Sequence, residues 1–272
     1  MTASMALLEA VERSEIDYMT DRMEAIRGRP GNPEGVEIAS FGHAVCYYSR
    51  TMPWASFNSV KGLRSGSEGE LPAIIDFYRS RDRKPQFELV PALTDSRLMR
   101  RLSELGFHQT GFHTSMYAEP ILMPTNPTTP NETDNDIVVR EIREDEFRSY
   151  AIVHCRGFGL PEDGIPHVEA NNRVLHGREG WKFYLAWHKG GLAGAGVMHC
   201  GSRAASMTFA ATLPEHRNHG VHAALLRARF EEASRRGCRL AVSQCAFLSQ
   251  SHRNMEKNGM RIAYLKALWS EL

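Results

Sequence analysis

The chain has 272 residues, of which 42% are hydrophobic, and a formal net charge of +1 at neutral pH. Domains commonly run to about 100–200 residues, so this length predicts two modules. The balance of 33 basic against 32 acidic residues argues against broad nucleic-acid binding through phosphate neutralisation. The sequence has no uninterrupted apolar run typical of a secretory signal or a membrane span, so we expect a cytoplasmic protein without membrane contact.

The cysteines are odd in number and scattered along the chain, without Cys-x-x-Cys spacing. This pattern disfavours structural zinc and a disulfide framework, and we expect no metal. The five residues are Cys46, Cys155, Cys200, Cys238 and Cys245.

The first half of the chain opens on residues 5–26, which have helical character. Residues 87–91 form an apolar segment that predicts a strand, residues 96–105 predict a helix, and residues 111–117 predict a second strand. The segment from 119 to 136 contains four prolines among Thr, Asn and Asp, a composition typical of an extended linker. The predicted modules are therefore residues 1–118 and residues 137–272.

The second half alternates strand and helix patterns in a regular order. Acidic residues in the first turn, a proline at a helical first position and a Lys-Gly-Gly hairpin turn mark several of the boundaries. The predicted strands are 137–142, 182–188, 192–199, 205–213, 239–245 and 261–272, and the predicted helices are 144–158, 166–178, a helix from 221, and 250–258.

The turn between the strand at 205–213 and the helix from 221 has the composition of an anion-binding site. Gly220 lies at the junction, with Arg217 and His219 beside it. Backbone N–H groups at a helix N-terminus converge on negatively charged oxygens, and the helix dipole adds to the attraction. A phosphate group is the expected ligand, and the candidate residues are Leu213, Arg217, Asn218, His219, Gly220, Val221, His222 and Ala223.

These residues resemble the acyl-CoA signature of the GCN5-related N-acetyltransferases (GNAT), Gln/Arg-x-x-Gly-x-Gly/Ala after a Pro-Glu-x-Arg approach. Arg217, Gly220 and the preceding residues 214–216 fit the signature, whereas His222 occupies its small-residue position. The order of elements after residue 137 also resembles the whole GNAT domain. The resemblance implies acetyl-CoA as cosubstrate and an α/β (α+β) fold with two tandem GNAT-like modules, each a mixed, mostly antiparallel sheet flanked by helices.

The first half resembles a degenerate copy of the second. Leu89 stands as far before Gly106 as Val242 stands before Gly259, and the same order of strand, helix and strand surrounds both pairs. Residues 52–70 contain no acyl-CoA signature, so we expect the first module to bind no cofactor. It either shapes the substrate pocket or extends the sheet.

The resemblance also implies the chemistry of acyl transfer from a thioester to an amine, which needs a proton acceptor and an oxyanion donor. Many relatives place a tyrosine four residues before the Gly-Phe that ends the penultimate helix, and here that position is Met255. Asn254 is either a ligand of the pantetheine arm or a residue of the helix surface. The arginines on and after the signature helix, interrupted by two glutamates, are interpreted as a solvated face; they are Arg227, Arg229, Arg235 and Arg236.

No general base stands out in the sequence. His154 and His199 are candidates because histidine as a residue type accepts protons near neutral pH, and Cys245 ends the strand that, by the resemblance, separates from its neighbour to admit the cofactor. Each of the three is also compatible with a packing or surface role. Glu162 and Asp163 lie in the loop that covers the acceptor site in relatives, where they either attract a cationic amine or face solvent.

Three functions are compatible with these patterns. The first is an acetyl-CoA-dependent N-acetyltransferase that acts on a small metabolite or an amino-acid-like amine. The second is a CoA-binding regulatory module without catalysis, which Met255 and His222 favour. The third is an acyltransferase that takes its donor group from aminoacyl-tRNA, which the balanced charge disfavours. A homo-oligomer is compatible with all three.

Overall fold

A computed structural model describes residues 4–120, 136–201 and 203–271. The predicted proline-rich linker lies almost entirely outside these residues. Within the described ranges, no helix combines the length and the apolar character that a membrane span requires.

The elements alternate along the chain and include seven α-helices and eleven strands among the described residues. The helices are α1 (Met5–Arg27), α2 (Leu71–Arg79), α3 (Ser96–Glu104), α4 (Phe147–Phe158), α5 (Ile165–Arg173), α6 (Val221–Arg235) and α7 (Gln250–Lys257). The strands are β1 (Val36–Phe41), β2 (Ala44–Ser49), β3 (Ser59–Lys61), β4 (Gln86–Leu89), β5 (Phe107–Ala118), β6 (Ile137–Glu141), β7 (Trp181–His188), β8 (Gly191–Cys200), β9 (Ala204–Thr212), β10 (Leu240–Cys245) and β11 (Arg261–Glu271).

Most predicted elements of the second half agree with the structure to within one or two residues, with two exceptions at α4 and α5. A short 3₁₀ turn over residues 144–146 precedes α4, where the carboxylate of Glu146 accepts from the N–H of Arg143 at 2.9 Å. The predicted helix 166–178 ends at Arg173, because the chain then closes tighter turns such as His176 N to Arg173 O at 2.9 Å.

The chain divides into two compact units, residues 1–115 with 262–272 and residues 116–261. In unit 1 the strand order is β1-β2-β3-β4-β11-β5. β1–β2 and β2–β3 pair antiparallel, and β3–β4 pair in parallel across the crossover helix α2. The buried core of unit 1 includes Tyr78 on α2 and the edge-to-face pair Phe87–Phe107, whose ring centroids are 4.9 Å apart.

Residues 262–272, which the sequence analysis assigned to the second module, group with unit 1 instead. β11 pairs antiparallel with β4, with Ala267 opposite Leu89 and Trp269 opposite Phe87. Ala267 and Trp269 both belong to the buried core of unit 1. Long-range strand pairing therefore decides where this segment belongs.

Unit 2 has the strand order β10-β9-β8-β7-β6, in which only β9 and β10 are parallel. Phe183 on β7 packs its ring against α4 at 5.2 Å from Phe147, whereas its neighbour Tyr184 clusters with Val221 of α6. Successive side chains of a strand point to opposite faces. The helices α4 and α6 therefore cover the two faces of this sheet.

The two units share one topological pattern. Each has two successive antiparallel strand pairs followed by a parallel pair across a helix, namely β1-β2-β3-α2-β4 in unit 1 and β7-β8-β9-α6-β10 in unit 2. Each unit is a mixed, mostly antiparallel sheet with helices, which confirms the predicted fold class.

Candidate functional site

The turn between β9 and α6 takes the strained shape that an anion-binding turn requires. After the 3₁₀ turn Pro214–His216, the backbone enters the left-handed region at Asn218 (φ 64°) and Gly220 (φ 83°). Asn and Gly adopt that region at the least steric cost. A Cβ on Gly220 would make only an ordinary contact, 3.4 Å from Cδ1 of Ile137, so the left-handed φ is what favours glycine here.

The N-terminus of α6 is left open for a ligand. Its N-cap is Gly220, which has no side chain, and no described side chain caps the helix. By contrast, Ser249 caps α7 by accepting a hydrogen bond from the N–H of His252 at 3.1 Å. The first-turn N–H groups of α6 therefore combine free donor capacity with the positive end of the helix dipole.

The predicted signature residues differ in exposure. Leu213 and Val221 are buried, Arg217 and His219 are exposed with Asn218 and Gly220, and His222 and Ala223 are partly buried. Arg217 donates to the carbonyl of Gly157 at 3.1 Å, so its guanidinium is partly engaged within the protein. The backbone N–H groups are therefore the better-placed anion ligands.

A histidine cluster that the sequence did not reveal adjoins this turn. The Nδ1 atoms of His188 and His216 lie 3.1 Å apart, and the rings of His188 and His219 are 4.8 Å apart. Burial, reinforced by His219 and Lys189, lowers the pKa of His188. His188 ends β7, 28 residues before His216, so no local pattern joins them. Among the described residues, no group of three or more His, Cys, Asp or Glu is arranged to hold a metal ion.

The parallel strands β9 and β10 separate part-way along their length. Their register runs from Leu240 opposite Ala204 to Val242 opposite Ser206, and Ser243 Oγ then donates to the carbonyl of Met207 at 2.8 Å. Both strands continue beyond this point, to Thr212 and to Cys245. Beyond this point no backbone pairing joins the two strands, and we call this unpaired stretch, on the side of the N-terminus of α6, the strand gap.

A bulge in β9 lies beside this gap. The register between β8 and β9 shifts between Ala195 and Val197, and Phe209 has a left-handed φ of 46°. For a bulky residue this conformation is an outlier, and such strain concentrates at functional sites. The bulge takes backbone N–H groups of β9 out of the regular ladder.

Arg229 of α6 is buried beside the bulge of β9, so the prediction that it lies on a solvated helix face is wrong. Its side chain is 1% exposed and donates to the carbonyls of Leu225 at 2.9 Å and Val197 at 3.2 Å. A contact to the carbonyl of Thr208 measures 3.5 Å, and a Cβ on Gly196 would lie 3.3 Å from Cζ of Arg229. The buried cation therefore contacts carbonyls of both strands at the Val197–Thr208 pair, next to the register shift.

Buried polar atoms without a hydrogen-bond partner in the described chain also surround the gap. They include Thr212 Oγ1 at the end of β9, His222 Nδ1 in the first turn of α6 and Gln244 Nε2 on β10. Burial and the nearby Arg229 lower the pKa of His222 to about 4, so the imidazole is neutral at pH 7. Unpaired buried groups are costly, and a polar ligand in the gap would satisfy them.

Two of the three candidate catalytic residues lie at the gap. His154 of α4 has Nδ1 3.4 Å from the hydroxyl of Tyr150 and its ring 6.3 Å from that of Phe209. Cys245 stands three residues beyond Val242, at the end of β10, and burial raises the pKa of its thiol to about 11.

The third candidate, His199, lies elsewhere. It pairs with Ser206 and packs on Trp181 at 4.8 Å between ring centroids. Leu213 lies seven positions after Ser206 along the direction of β9, a distance of roughly 20 Å. The structure therefore does not bring His199 to the turn.

The remaining predicted residues have ordinary partners. Asn254 accepts from Gln250 Nε2 at 2.9 Å, and Met255 is 4% exposed in the core of unit 2. Glu162 and Asp163 are exposed, and Glu162 pairs with Arg156 at 2.8 Å.

Unit 1 has a closed counterpart of the gap. Its parallel pair β3–β4 ends at Val60 opposite Phe87, and the next residues, Lys61 and Glu88, form an ion pair at 2.5 Å. Lys266 joins Glu88 at 2.6 Å and also contacts Glu15, and the cavity among these side chains measures only about 10 Å³. We call Glu15, Lys61, Glu88 and Lys266 the buried ion cluster.

The N-terminus of α2 in unit 1 is also unsuited to an anion. Its N-cap is Glu70, and Glu68 lies two residues before it. Carboxylates at this position complement the helix dipole themselves and repel a phosphate. The two units therefore share a topology but differ in the chemistry of the equivalent turn.

The fold is that of the GCN5-related N-acetyltransferases, in a tandem arrangement. It is similar to a GCN5-related N-acetyltransferase from Kribbella flavida, with a TM-score of 0.71 and 13% identity over 98% of this chain and 96% of that one. A tandem GNAT protein from the clavulanic acid biosynthesis pathway matches with a TM-score of 0.60 and 16% identity over 96% of this chain and 94% of that one. A GCN5-related N-acetyltransferase from Sphaerobacter thermophilus matches with a TM-score of 0.64 and 15% identity over 85% and 81%.

No protein-family model matches the sequence. A comparison with curated proteins finds no match either. The likeness is therefore one of structure, and at these identities it establishes the fold.

Proposed function

We propose that the protein is an acyl-CoA-dependent N-acyltransferase that transfers an acetyl group to the amine of a small metabolite or amino-acid-like acceptor. The observation that carries this proposal is the joint presence, in unit 2, of the strand gap and the uncapped N-terminus of α6. A diphosphate fits the helix N-terminus, and an extended thioester arm fits between β9 and β10. Unpaired atoms of Thr212, His222 and Gln244 supply further polar ligands there.

The bulge of β9 suits the charge that develops during acyl transfer. Attack of an amine on a thioester places negative charge on the carbonyl oxygen, and preoriented N–H groups stabilise such an oxyanion. The bulge falls between Thr208 and Ala211, beyond the last β9–β10 pair, Val242 opposite Ser206. We assign oxyanion stabilisation to this stretch of backbone.

His154 is the favoured proton acceptor for the attacking amine. It lies beside Phe209 on one face of the gap, and imidazole accepts protons near neutral pH. Cys245 is disfavoured as a base because burial keeps its thiol protonated at neutral pH. Met255 carries no titratable group, so the thiolate product leaves without a proton from that position.

A CoA-binding module without catalysis is the second candidate. Met255 is buried at the position where the resemblance implies a tyrosine. Helix α7 therefore supplies no general acid at that position, which favours a module without catalysis. Transfer from aminoacyl-tRNA is a third candidate with less support, because the overall charge is balanced.

Calorimetry and a thiol-release assay test the proposal together. We expect acetyl-CoA to bind the full-length protein with one site per chain, and release of CoA thiol to depend on an amine from a pooled set. Gly220→Asp, which adds a carboxylate and a Cβ at the α6 turn, should abolish binding. Gly237→Asp is the matched control, because its φ of 72° is equally left-handed but it lies at the other end of α6.

Each outcome separates the candidates. Binding without thiol release on any amine would favour the non-catalytic module. Two sites of similar affinity would contradict the assignment of unit 1 as a copy without cofactor. Binding that survives Gly220→Asp would contradict the site itself.

A further inference from the structure

Two cysteines meet at the end of unit 2 opposite to the α6 turn. Cys200 ends β8, and Cys238 precedes β10 by two residues. The backbone brings these segments together, because the carbonyl of Arg203 accepts from the N–H groups of Arg239 at 2.9 Å and Leu240 at 3.3 Å. The hairpin between β8 and β9 is therefore hydrogen-bonded to the segment that carries Cys238.

The two side chains belong to the same apolar cluster. Cys200 packs against the buried cluster that contains Cys238. Cys200 is partly exposed, whereas Cys238 is 3% exposed. A reagent from solvent therefore reaches the sulfur of Cys200 first, with Cys238 directly behind it.

The two thiols influence each other's ionisation. The hydrogen bond from Cys200 lowers the pKa of Cys238 to about 7, and the same bond raises the pKa of Cys200. Arg236 favours the negative charge on both sulfurs, and Glu232, which pairs with Arg236 at 2.6 Å, opposes it. Because the thiols are coupled, the lowered pKa is a property of the pair and not of one sulfur alone.

The other three cysteines lack these conditions. Cys46, Cys155 and Cys245 are buried, and burial raises the pKa of each thiol. Since the thiolate is the nucleophile, these three should react slowly. They serve as internal controls in the same molecule.

We propose that Cys200 and Cys238 form a thiol–disulfide exchange site that reacts with small-molecule disulfides. The thiolate of the pair attacks one sulfur of the reagent, forming a mixed disulfide at Cys200 and releasing one thiolate. The sulfur of Cys238 then attacks the mixed disulfide, closing the Cys200–Cys238 bond and releasing the second thiolate. Two protein thiols are oxidised, one reagent disulfide is reduced, and two protons pass to solvent.

The test treats the reduced full-length protein with 5,5′-dithiobis(2-nitrobenzoate) at pH 7.5. We expect a fast release of two chromophores per chain, a product whose mass corresponds to loss of two hydrogens without adduct, and a Cys200–Cys238 cross-link in the peptide map. The rate should fall about tenfold per pH unit below the pKa of the pair. A persistent adduct, or equal reaction at Cys245, would overturn the proposal.

Variants separate exchange from simple surface reactivity. Cys238→Ser should stop at a stable mixed disulfide on Cys200 with one chromophore released, and Cys200→Ser should lose the fast phase. Cys155→Ser is the control and should react as the wild type does. If Cys238→Ser fails to fold, the mass and peptide map of the wild type still decide between a closed disulfide and an adduct.

Discussion

At the scale of single residues, His222 couples the first turn of α6 to the buried Arg229. Burial, then Arg229, lowers its pKa to about 4 from an ordinary value of 6.5. A lowered histidine pKa means that the folded state disfavours the charged ring. The stability that the neutral ring contributes to the folded protein is therefore complete above pH 6.5 and is lost as pH falls towards 4. The loss is on the order of 3 kcal/mol.

We therefore predict that His222→Ala flattens the dependence of the free energy of unfolding on pH between 6.5 and 4. Urea denaturation across this range measures it. The exposed His108→Ala is the matched control and should retain the slope of the wild type. An unchanged slope in His222→Ala would contradict a buried, neutral imidazole.

Arg229 gives a second prediction at this scale. Arg229→Met should destabilise the protein by about 1–3 kcal/mol, because carbonyls of Leu225 and Val197 lose a buried donor. On the same helix, Arg235→Met should change stability by less than about 0.5 kcal/mol, since that side chain is 70% exposed. Equal effects of the two substitutions in urea denaturation would contradict the supporting role of Arg229.

Gly220 and Arg229 show what the local sequence can predict and what it cannot. Gly220 was predictable, because a glycine between a strand pattern and a helix pattern favours a left-handed turn at that junction. Arg229 was misassigned as solvated, since a buried arginine and an exposed one look alike in a run of arginines and glutamates. Its burial depends on Gly196, 33 positions earlier, which leaves room for the guanidinium.

At the scale of elements, α7 illustrates a departure from relatives that packing explains. Met255 lies in the same apolar cluster as Met207, Leu226 and Phe230. A tyrosine there would need extra volume and a partner for its hydroxyl. The helix therefore contributes Met255 to the core at the position where the GNAT resemblance implies a tyrosine.

We predict that Met255→Tyr lowers stability by about 1–3 kcal/mol through overpacking. Turnover of the folded protein should stay within about tenfold of the wild type, or rise if protonation of the leaving thiolate limits the rate. Met255→Leu is the conservative control for packing. Loss of turnover in both variants, with acetyl-CoA binding intact, would mean that Met255 shapes the acceptor site.

Sequence periodicity predicted the elements of unit 2 well, because its strands and helices are long and apolar on one side. It gave no assignment for β1, β2, β3 or α2. β3 has only three residues, too few for an alternating pattern to stand out. The assignment of β11 to the second module was wrong for another reason. β11 pairs with a strand about 180 positions earlier, and such long-range pairing produces no local sequence pattern.

At the scale of the whole molecule, the two units differ where the pairing of their parallel strands ends. In unit 1 the buried ion cluster occupies this position, whereas in unit 2 it is the strand gap. Burial alone would raise the pKa of Glu88, but Lys266 and Lys61 lower it well below its ordinary value. The carboxylate thus contributes stability above the ordinary glutamate range, and this stability is lost as pH falls through the folded pKa.

We predict that Glu88→Gln destabilises the protein by about 3–5 kcal/mol, because Lys61 and Lys266 keep their buried charge with one partner fewer. Urea denaturation at pH 7 measures this loss, which should shrink in strong acid. Glu37→Gln removes an exposed ion pair with Arg81 and should cost about 1 kcal/mol or less. Similar losses in the two variants would show that the cluster is not a buried network.

The place of β11 in unit 1 has a consequence for how the chain folds during synthesis. Unit 1 begins with the first helix, yet its sheet lacks the strand between β4 and β5 until residues 261–271 have left the ribosome. That late strand also brings Lys266, the partner of Glu15 and Glu88. Unit 1 is therefore completed only after unit 2 has been synthesised, and chaperone binding to nascent chains should persist on residues 1–115 until residues 261–271 have emerged.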